Sequence, residues 1–254
     1  DNNKVVIAYK DAGNSNYGTA VVGTVSGTSI SFGSPAVFLT ANTTSISIVY
    51  DTAANKIVIV YQDANNSSYG TAIVGTVSGT SISFGTSIVF EAASSSNMSA
   101  TFDSTANKVV IAYKDQGNST YGTLIVGTVS GTSISFGSAT IFNTAVTGNI
   151  TSTFDSNAGR VVIAYQDGGN SNYGTAIVYG VTTTNYTDFL GISDEAISSA
   201  ASGSVIVQGG VNSKVTSLTI GTDYYVQANG TLSTTTSTVP AGRALSTTSI
   251  LLEG

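Results

Sequence analysis

The residues best suited to contact a ligand stand in a short motif that recurs four times. Its first copy, "DAGNSNYG", brings together a carboxylate, Gly13, Asn14 and an aromatic ring. The copies place these acids and rings at Asp11 and Tyr17, Asp63 and Tyr69, Asp115 and Tyr121, and Asp167 and Tyr173. Carboxylate, amide and aromatic groups are what saccharides and calcium contact. The alternative is a hairpin turn in which the aspartate accepts backbone hydrogen bonds and the tyrosine packs at the sheet edge. Occurrence in every copy favours the turn, because an active site rarely needs four copies.

A second set of acids recurs in "YDTAAN", "FDSTAN" and "FDSNAG", and its members are Asp51, Asp103 and Asp155. We interpret them as turn residues between strands. A paired-carboxylate glycosidase needs two acids with different roles, whereas these copies are too alike to diverge. The Asp11 motif resembles the Asp-box of sialidase-like propellers, with one extra residue before the aromatic. In those folds the box is structural, and sialidase chemistry also needs an arginine cluster, whereas the sequence holds only Arg160 and Arg243.

Composition excludes several function classes. Only 9% of the 254 residues are charged, against roughly 25% in average soluble domains. The net charge is −6 and no basic run occurs, so neither nucleic acid nor an anionic membrane surface is an expected partner. With no His and no Cys, the commonest general base and metal ligands are missing, and we expect no metal and no cofactor. No apolar stretch has the length of a membrane helix. Because the chain begins at Asp1 rather than Met, we expect a processed or partial product.

Asn-X-Ser/Thr sequons at Asn42, Asn118 and Asn149 are expected by chance in a chain this rich in Asn, Ser and Thr. Gly-rich stretches such as "GTVSG" lack the lysine and helix of a phosphate-binding loop.

These motifs sit within a 52-residue repeat. The twelve residues "VGTVSGTSISFG" occur unchanged at 22–33, 74–85 and 126–137. The repeat is marked at equal intervals by Lys4, Lys56, Lys108 and Arg160. Each unit is predicted to contain four short strands, which are seen best in "TSISIVYD", "KIVIVYQD", "YGTAIVGTV" and "SISFGTSIVF". Their connections of two to five residues predict antiparallel hairpins.

Side-chain alternation in "KVVIAYKD" places Val5, Ile7 and Tyr9 on one face and Val6 with Ala8 on the other. Because both faces are apolar, we expect each sheet to be covered on both sides by neighbouring copies. The predicted fold is all-β, with a β-propeller-like array of about four four-stranded repeats over residues 1–184.

The verbatim segment has a structural interpretation in such an array. We expect the same pocket between neighbouring sheets to occur three times. It would be filled by Ile30 with Phe32, by Ile82 with Phe84, and by Ile134 with Phe136. The first copy lacks a "SISIVYD" strand and the fourth lacks "SISFG", which leaves about three and a half units. Closure then requires upstream residues or oligomerisation, or the array stays open and is capped.

Residues 185–254 form a second pattern, predicted to be a small β-rich module with strands at 204–208, 224–227 and 249–252, a compact barrel or sandwich. Pro240 is expected in a turn before the last strand, and "DEAISSAAS" in a helical turn.

The segments "GTDYYVQANGTLSTT" and "AGRALSTTSILL" resemble the C-terminal module of bacteriophage tail-fibre and virion-appendage proteins, especially marine ones. The "VVIAYKD…YGTAVVGTVSGTSISFG" repeat resembles propeller-type repeats of such phage and marine bacterial surface proteins. The resemblance implies attachment or display rather than chemistry, and it transfers no site residue.

Together these features predict a non-enzymatic structural protein of a virion or extracellular surface. Its expected partners are copies of itself, other surface subunits, or host glycans. A self-assembling bacterial surface or matrix protein is the alternative, and a glycan-cleaving propeller enzyme is the third candidate.

Overall fold

A computed structural model describes residues 3–181, 191–193, 205–207, 210–226, 231–235 and 240–252. The chain divides into two compact units, residues 1–182 and 183–254. Every regular element in the described residues is a β-strand, as the sequence predicts.

The first unit consists of four successive antiparallel sheets. Their strands are β1 (Lys4–Asp11), β2 (Tyr17–Ser26), β3 (Ser29–Phe32), β4 (Ala36–Asp51), β5 (Lys56–Asp63), β6 (Tyr69–Ser78), β7 (Ser81–Phe84), β8 (Ile88–Asp103), β9 (Lys108–Asp115), β10 (Tyr121–Ser130), β11 (Ser133–Phe136), β12 (Thr140–Asn143), β13 (Thr147–Asp155), β14 (Arg160–Asp167) and β15 (Tyr173–Tyr179). The first sheet is built on β1 and β2, the second on β5 and β6, the third on β9 and β10, and the fourth on β13, β14 and β15.

The fourth predicted strand is in fact two segments in each of the first three units, β3 and β4, β7 and β8, and β11 and β12. In the second sheet, β7 pairs with the end of β6 through Gly75 and Phe84, whereas β8 pairs with the start of β6 through Ile88 and Ala72. The residues between them, 85–87, belong to neither strand. The sequence predicts a single strand over "SISFGTSIVF", which the structure divides at Gly85.

Strands β4 and β8 each belong to two sheets. The first half of β8 pairs with β6, and its second half, from Ser95 to Asp103, pairs with β9 of the next sheet. A register shift follows at residues 96–99, where Asn97 has a φ of 50°. Asparagine tolerates this left-handed conformation better than most residues. Between the third and fourth sheets, two separate strands replace one long strand: β12 pairs with β10 of the third sheet, and β13 pairs with β14 of the fourth.

The second halves of β4 and β8, together with β13, are called here the inner strands. They contact one another through serine hydroxyls. The Ser47 hydroxyl accepts a hydrogen bond from the Ala100 N–H at 3.0 Å, and the Ser99 hydroxyl accepts one from the Ser152 N–H at 2.9 Å. These bonds satisfy backbone donors at the free edge of each inner strand.

The central sheets are apolar on both faces, as predicted. In β5, Val58 and Val60 point to the third sheet, whereas Ile57, Ile59 and Tyr61 point to the first. Burial of such side chains is the main favourable term in folding, at roughly 25 cal/mol per Å². Covering both faces therefore stabilises a sheet whose strands are only eight to ten residues long.

Three apolar cores join the four sheets in a row: first to second, second to third, and third to fourth. In the described residues no buried cluster joins the fourth sheet to the first. The predicted pocket residues follow this order, since Ile82 and Phe84 pack in the first core and Ile134 and Phe136 in the second. The prediction is wrong for Ile30 and Phe32, which are 43% and 53% exposed, because no sheet among the described residues packs on that face of the first sheet.

Each of the three glycine positions in the repeated twelve residues meets a different structural requirement. Gly75 makes room for the Ile82 side chain, which lies 2.8 Å from where a Cβ would stand. Gly79 has a φ of 60° in the two-residue turn between β6 and β7, as type II′ turns require. Gly33 and Gly85 touch the next sheet: an added Cβ would lie 2.0 Å from the Thr80 carbonyl oxygen and 1.9 Å from that of Thr132. The verbatim repeat is therefore an inter-sheet joint, used twice.

The second unit has a two-stranded sheet of β16 (Gly191–Ser193) and β17 (Val205–Val207). A five-stranded sheet follows the order β18-β22-β21-β19-β20, with β18 (Val211–Asn212), β19 (Asp223–Val226), β20 (Leu232–Ser233), β21 (Pro240–Ala244) and β22 (Ile250–Leu252). The three predicted strands are confirmed as β17, β19 and β22.

The predicted turn at Pro240 is wrong, because Pro240 opens β21, where a strand tolerates a residue without an N–H. Residues 194–202, the whole of the predicted helical turn, lie outside the described residues.

Candidate functional surfaces: the two rims of the sheet array

The four copies of the Asp–Tyr motif all lie at the same end of the sheets, which is called here the loop rim. Each joins the two central strands of a sheet, as Asp63 and Tyr69 join β5 to β6. The carboxylates accept backbone hydrogen bonds within their own loops, at 3.0 Å from the Gly13 and Asn65 N–H groups and at 2.9 Å from those of Gly117 and Gly169. The geometry is that of the predicted Asx-type hairpin turn.

The loop rim presents amides and hydroxyls to solvent. After each aspartate, the chain reaches an asparagine whose carbonyl accepts the tyrosine N–H, as Asn66 does for Tyr69 at 2.9 Å. Two residues with positive φ follow, Ser67 and Ser68 in this copy. The equivalent asparagines and serines are Asn14 with Ser15, Asn118 with Ser119, and Asn170 with Ser171. Such groups form hydrogen bonds with sugar hydroxyls, and a tyrosine ring supplies an apolar face.

A ribbon of polar side chains runs beside these loops. Thr44 donates to the Gln62 side chain, whose amide nitrogen lies 3.4 Å from the Ser94 hydroxyl. Ser94 donates in turn to Gln116 at 2.8 Å, and the Gln116 amide donates to Ser96 at 3.1 Å. The ribbon joins the second and third sheets by amide–hydroxyl contacts. No single repeat copy contains this ribbon, because Gln62, Gln116 and the serines come from different copies, and the sequence therefore gives no signal of it.

The second acid set lies at the opposite end, the turn rim. Asp103 accepts hydrogen bonds from the Thr105 and Ala106 N–H groups, both at 2.9 Å, while Asp51 accepts one from Ala54 at 2.8 Å. Asp155 does the same for Asn157 and Ala158. These aspartates hold the turns before β5, β9 and β14, as the sequence predicts. Asp51 and Asp103 are buried, so their carboxylates serve the backbone rather than solvent.

The repeat-marking cations also lie at the turn rim. Lys4, Lys56 and Lys108 donate to the hydroxyls of Thr24, Thr76 and Thr128, at 2.6, 3.0 and 2.8 Å. Arg160 departs from this pattern and donates to the Gly159 carbonyl at 2.9 Å. Arg243 belongs to the second unit, where it pairs with Asp223 at 3.9 Å, with both side chains exposed. An exposed pair of this kind contributes little to stability.

A pocket of about 120 Å³ opens at the turn rim between the first and second sheets. It is lined by Lys4, Tyr50, Asn55, Lys56, Ile57 and Val77. A groove along Val5, Ile48 and Tyr50 adjoins it. Both exist because the first sheet has no inner strand, so the edge of β1 is unpaired in the described residues. The missing "SISIVYD" strand in the first copy is the sequence signal that could have located them.

One carboxylate breaks the symmetry of the repeat. Glu91 accepts a hydrogen bond from the Tyr113 hydroxyl at 3.0 Å, whereas Leu39 and Asn143 stand at the equivalent positions. Burial, opposed in part by this bond, raises the pKa of Glu91 above its ordinary value. Burial and the nearby Glu91 charge raise the pKa of Tyr113. Tyr113 is fully buried and Glu91 is half-buried, so the pair is best understood as a packing feature.

Tyr61 meets Leu39 instead of an acid, and its buried hydroxyl has no hydrogen-bond partner within 3.5 Å in the described residues. Burial, followed by the charge of Asp63, raises the pKa of Tyr61 to about 12, although the Ser87 hydroxyl is near enough to lower it in part.

Neither a metal cluster nor a membrane-spanning helix is present in the part of the chain that the structure describes. The sequons lie in different settings: Asn42 in β4, Asn118 in a rim loop, and Asn149 at the bulge of β13.

No protein-family model matches the chain, and no curated protein matches it. The rims must therefore be interpreted from their own geometry.

Proposed function

We propose that the chain is a non-enzymatic attachment protein of a virion appendage or a comparable extracellular surface. In this proposal, residues 3–181 form a propeller-like array that presents the loop rim to glycans. The observation that carries the proposal is the loop itself, which recurs four times with the same backbone hydrogen bonds, an exposed serine in every copy, and an asparagine that is exposed in three copies and half-buried at Asn118. A catalytic site would need one copy to differ, whereas a display surface gains from every copy.

Multivalency supplies the physical rationale. One shallow loop of amides and hydroxyls holds a saccharide weakly, since few of its contacts exclude water. Several loops on one rigid array can engage a repeating polysaccharide together, and linked sites gain about 10²- to 10⁴-fold in avidity without new contacts. The low charge of the chain fits this role, because binding then relies on hydrogen bonds and stacking rather than on ion pairs.

The test is binding of the 254-residue chain to an array of bacterial surface polysaccharides. The proposal expects binding that falls more than additively as Asn14, Asn66, Asn118 and Asn170 are changed to alanine in one, two and then four loops. Thr52→Ala, at an exposed position of the turn rim, is the matched control and should bind like the wild type. Failure to bind any polysaccharide, or loss of binding in Thr52→Ala alone, would contradict the proposal.

A self-assembling surface or matrix protein is the second candidate, favoured by the exposed apolar side chains on the first and fourth sheets. It predicts ordered assemblies in electron micrographs with no polysaccharide bound. A glycan-cleaving enzyme would replace both candidates if a polysaccharide were shortened by the wild type and not by an Asp→Asn variant of a rim loop.

A further inference from the structure

The outer face of the first sheet is apolar and is not covered by any of the residues that the structure describes. Its side chains are Val5, Ile7, Val25, Ile30 and Phe32, which are 38 to 53% exposed. The equivalent residues of the second sheet, 52 positions later, are Ile57, Ile59, Val77, Ile82 and Phe84. All five pack in the core that joins the second sheet to the first. The outer face of the first sheet therefore carries the residues of an inter-sheet contact, but no sheet of the described residues packs against it.

The outer face of the fourth sheet is the opposite half of the same joint. It presents Val162, Ala164, Ala176 and Val178, and Val178 is 68% exposed. Their equivalents in the second sheet are Val58, Val60, Ala72 and Val74. Those four are fully buried against the third sheet. The fourth sheet thus exposes the face that, in the second sheet, packs against the following sheet. The first sheet exposes the face that, in the second sheet, packs against the preceding sheet.

We propose that the uncovered faces bind each other between two copies of this chain, head to tail. The fourth sheet of one copy would pack against the first sheet of the next copy, as the first sheet packs against the second within a chain. The occupant is a second copy because it carries the complementary half in the same register of small and β-branched side chains. None of the nine residues is charged, so none of them brings an ion that must lose its water on contact.

Such a contact uses two different surfaces, and it therefore forms a ring if the rotation closes and a filament if it does not. The inference depends on the terminal faces alone, and it stands whether or not the loop rim binds glycans.

The experiment is sedimentation velocity of the full chain across a concentration series. Wild type is expected to associate, whereas Ile7→Asp, on the first sheet, and Val178→Asp, on the fourth, each weaken association by about 30-fold or more, as for a residue central to an interface. An equimolar mixture of the two variants should recover a one-to-one dimer and nothing larger, since each variant keeps one intact face. Thr52→Asp, on the turn rim, is the control and should associate like the wild type.

Recovery in the mixture also shows that both variants are folded. Ile7→Thr keeps a β-branched side chain and serves as the second variant if Ile7→Asp loses its far-ultraviolet β signal. A wild type that stays monomeric at high concentration would overturn the proposal, and so would a mixture that stays monomeric. An assembly sensitive to Ile7→Asp and indifferent to Val178→Asp would overturn it too, because that outcome indicates two first sheets face to face.

Discussion

The joint between neighbouring sheets gives a sharp prediction at Gly85. An alanine there would place its Cβ 1.9 Å from the Thr132 carbonyl oxygen of the third sheet. Ordinary contact begins near 3.4 Å, so the two sheets must separate by about 1.5 Å at this point or the turn must move. The obstacle is backbone rather than a rotatable side chain, and the displaced sheets share a close-packed core. We expect a destabilisation of about 3 kcal/mol, at the upper end for overpacking.

Gly137 is the matched control, because it ends the same twelve residues but faces no "SGTS" turn in the fourth sheet. The nearest atom to its added Cβ is the Val126 oxygen at 3.9 Å. Gly137→Ala should therefore be neutral, or stabilising by about 0.4–1 kcal/mol, since alanine restricts the unfolded chain.

The assay is thermal and urea-induced unfolding of the full chain. For a unit of this size, 3 kcal/mol corresponds to a fall in Tm of about 6–12 °C. Gly33→Ala, whose Cβ would lie 2.0 Å from Thr80, should behave like Gly85→Ala. Equal stability of Gly85→Ala and Gly137→Ala would refute the reasoning, since the two differ only in the presence of a following turn.

Three further predictions concern buried titratable groups and the missing strand. Burial raises the folded-state pKa of Glu91 above its ordinary 4.5, so the free energy of unfolding should fall as pH rises from about 4.5 through that raised pKa. In urea titrations at a series of pH values, Glu91→Gln should lack this fall in the free energy of unfolding. Tyr61 has a pKa near 10 when unfolded and about 12 when folded, so this residue should account for a loss of about 1.4 kcal/mol between neutral pH and pH 11, and Tyr61→Phe should lose less than the wild type by that amount. A copy of Thr43–Thr52 fused directly before Asp1 should pair with the free edge of β1 and raise stability by roughly 2 kcal/mol relative to a scrambled extension; equal Tm values for the two extensions would contradict the assignment of the groove.

Much of the array could be predicted from the sequence because its signals are local. The alternation in "KIVIVYQD" places apolar residues on both faces, and the two-residue turn at Gly79 determines its hairpin. The path of β8 could not be predicted in this way. Its change of sheet is accompanied by a left-handed residue at Asn97 and a register shift, and the run "SSSNMS", with Met98 as its single apolar residue, carries no periodic mark of either.

The contacts at the two rims also differ in whether they can be predicted from the sequence. The hydrogen bonds of the repeated aspartates follow from turn chemistry that any copy reveals. The ribbon from Thr44 to Ser96 depends on how far neighbouring sheets are rotated, which no single copy encodes. The contact of Glu91 with Tyr113 could have been found, since Glu91 is an acid where the other copies have Leu39 and Asn143.

The two long strands have a mechanical consequence. Because β4 and β8 each contribute hydrogen bonds to two sheets, neither the second nor the third sheet can peel away without pulling a strand out of its neighbour. At the last junction that continuity is broken by residues 144–146, between β12 and β13. Force applied along the chain would therefore release the fourth sheet first and leave the other three sheets connected through β4 and β8. The continuity of these two strands thus determines the order in which the sheets unfold.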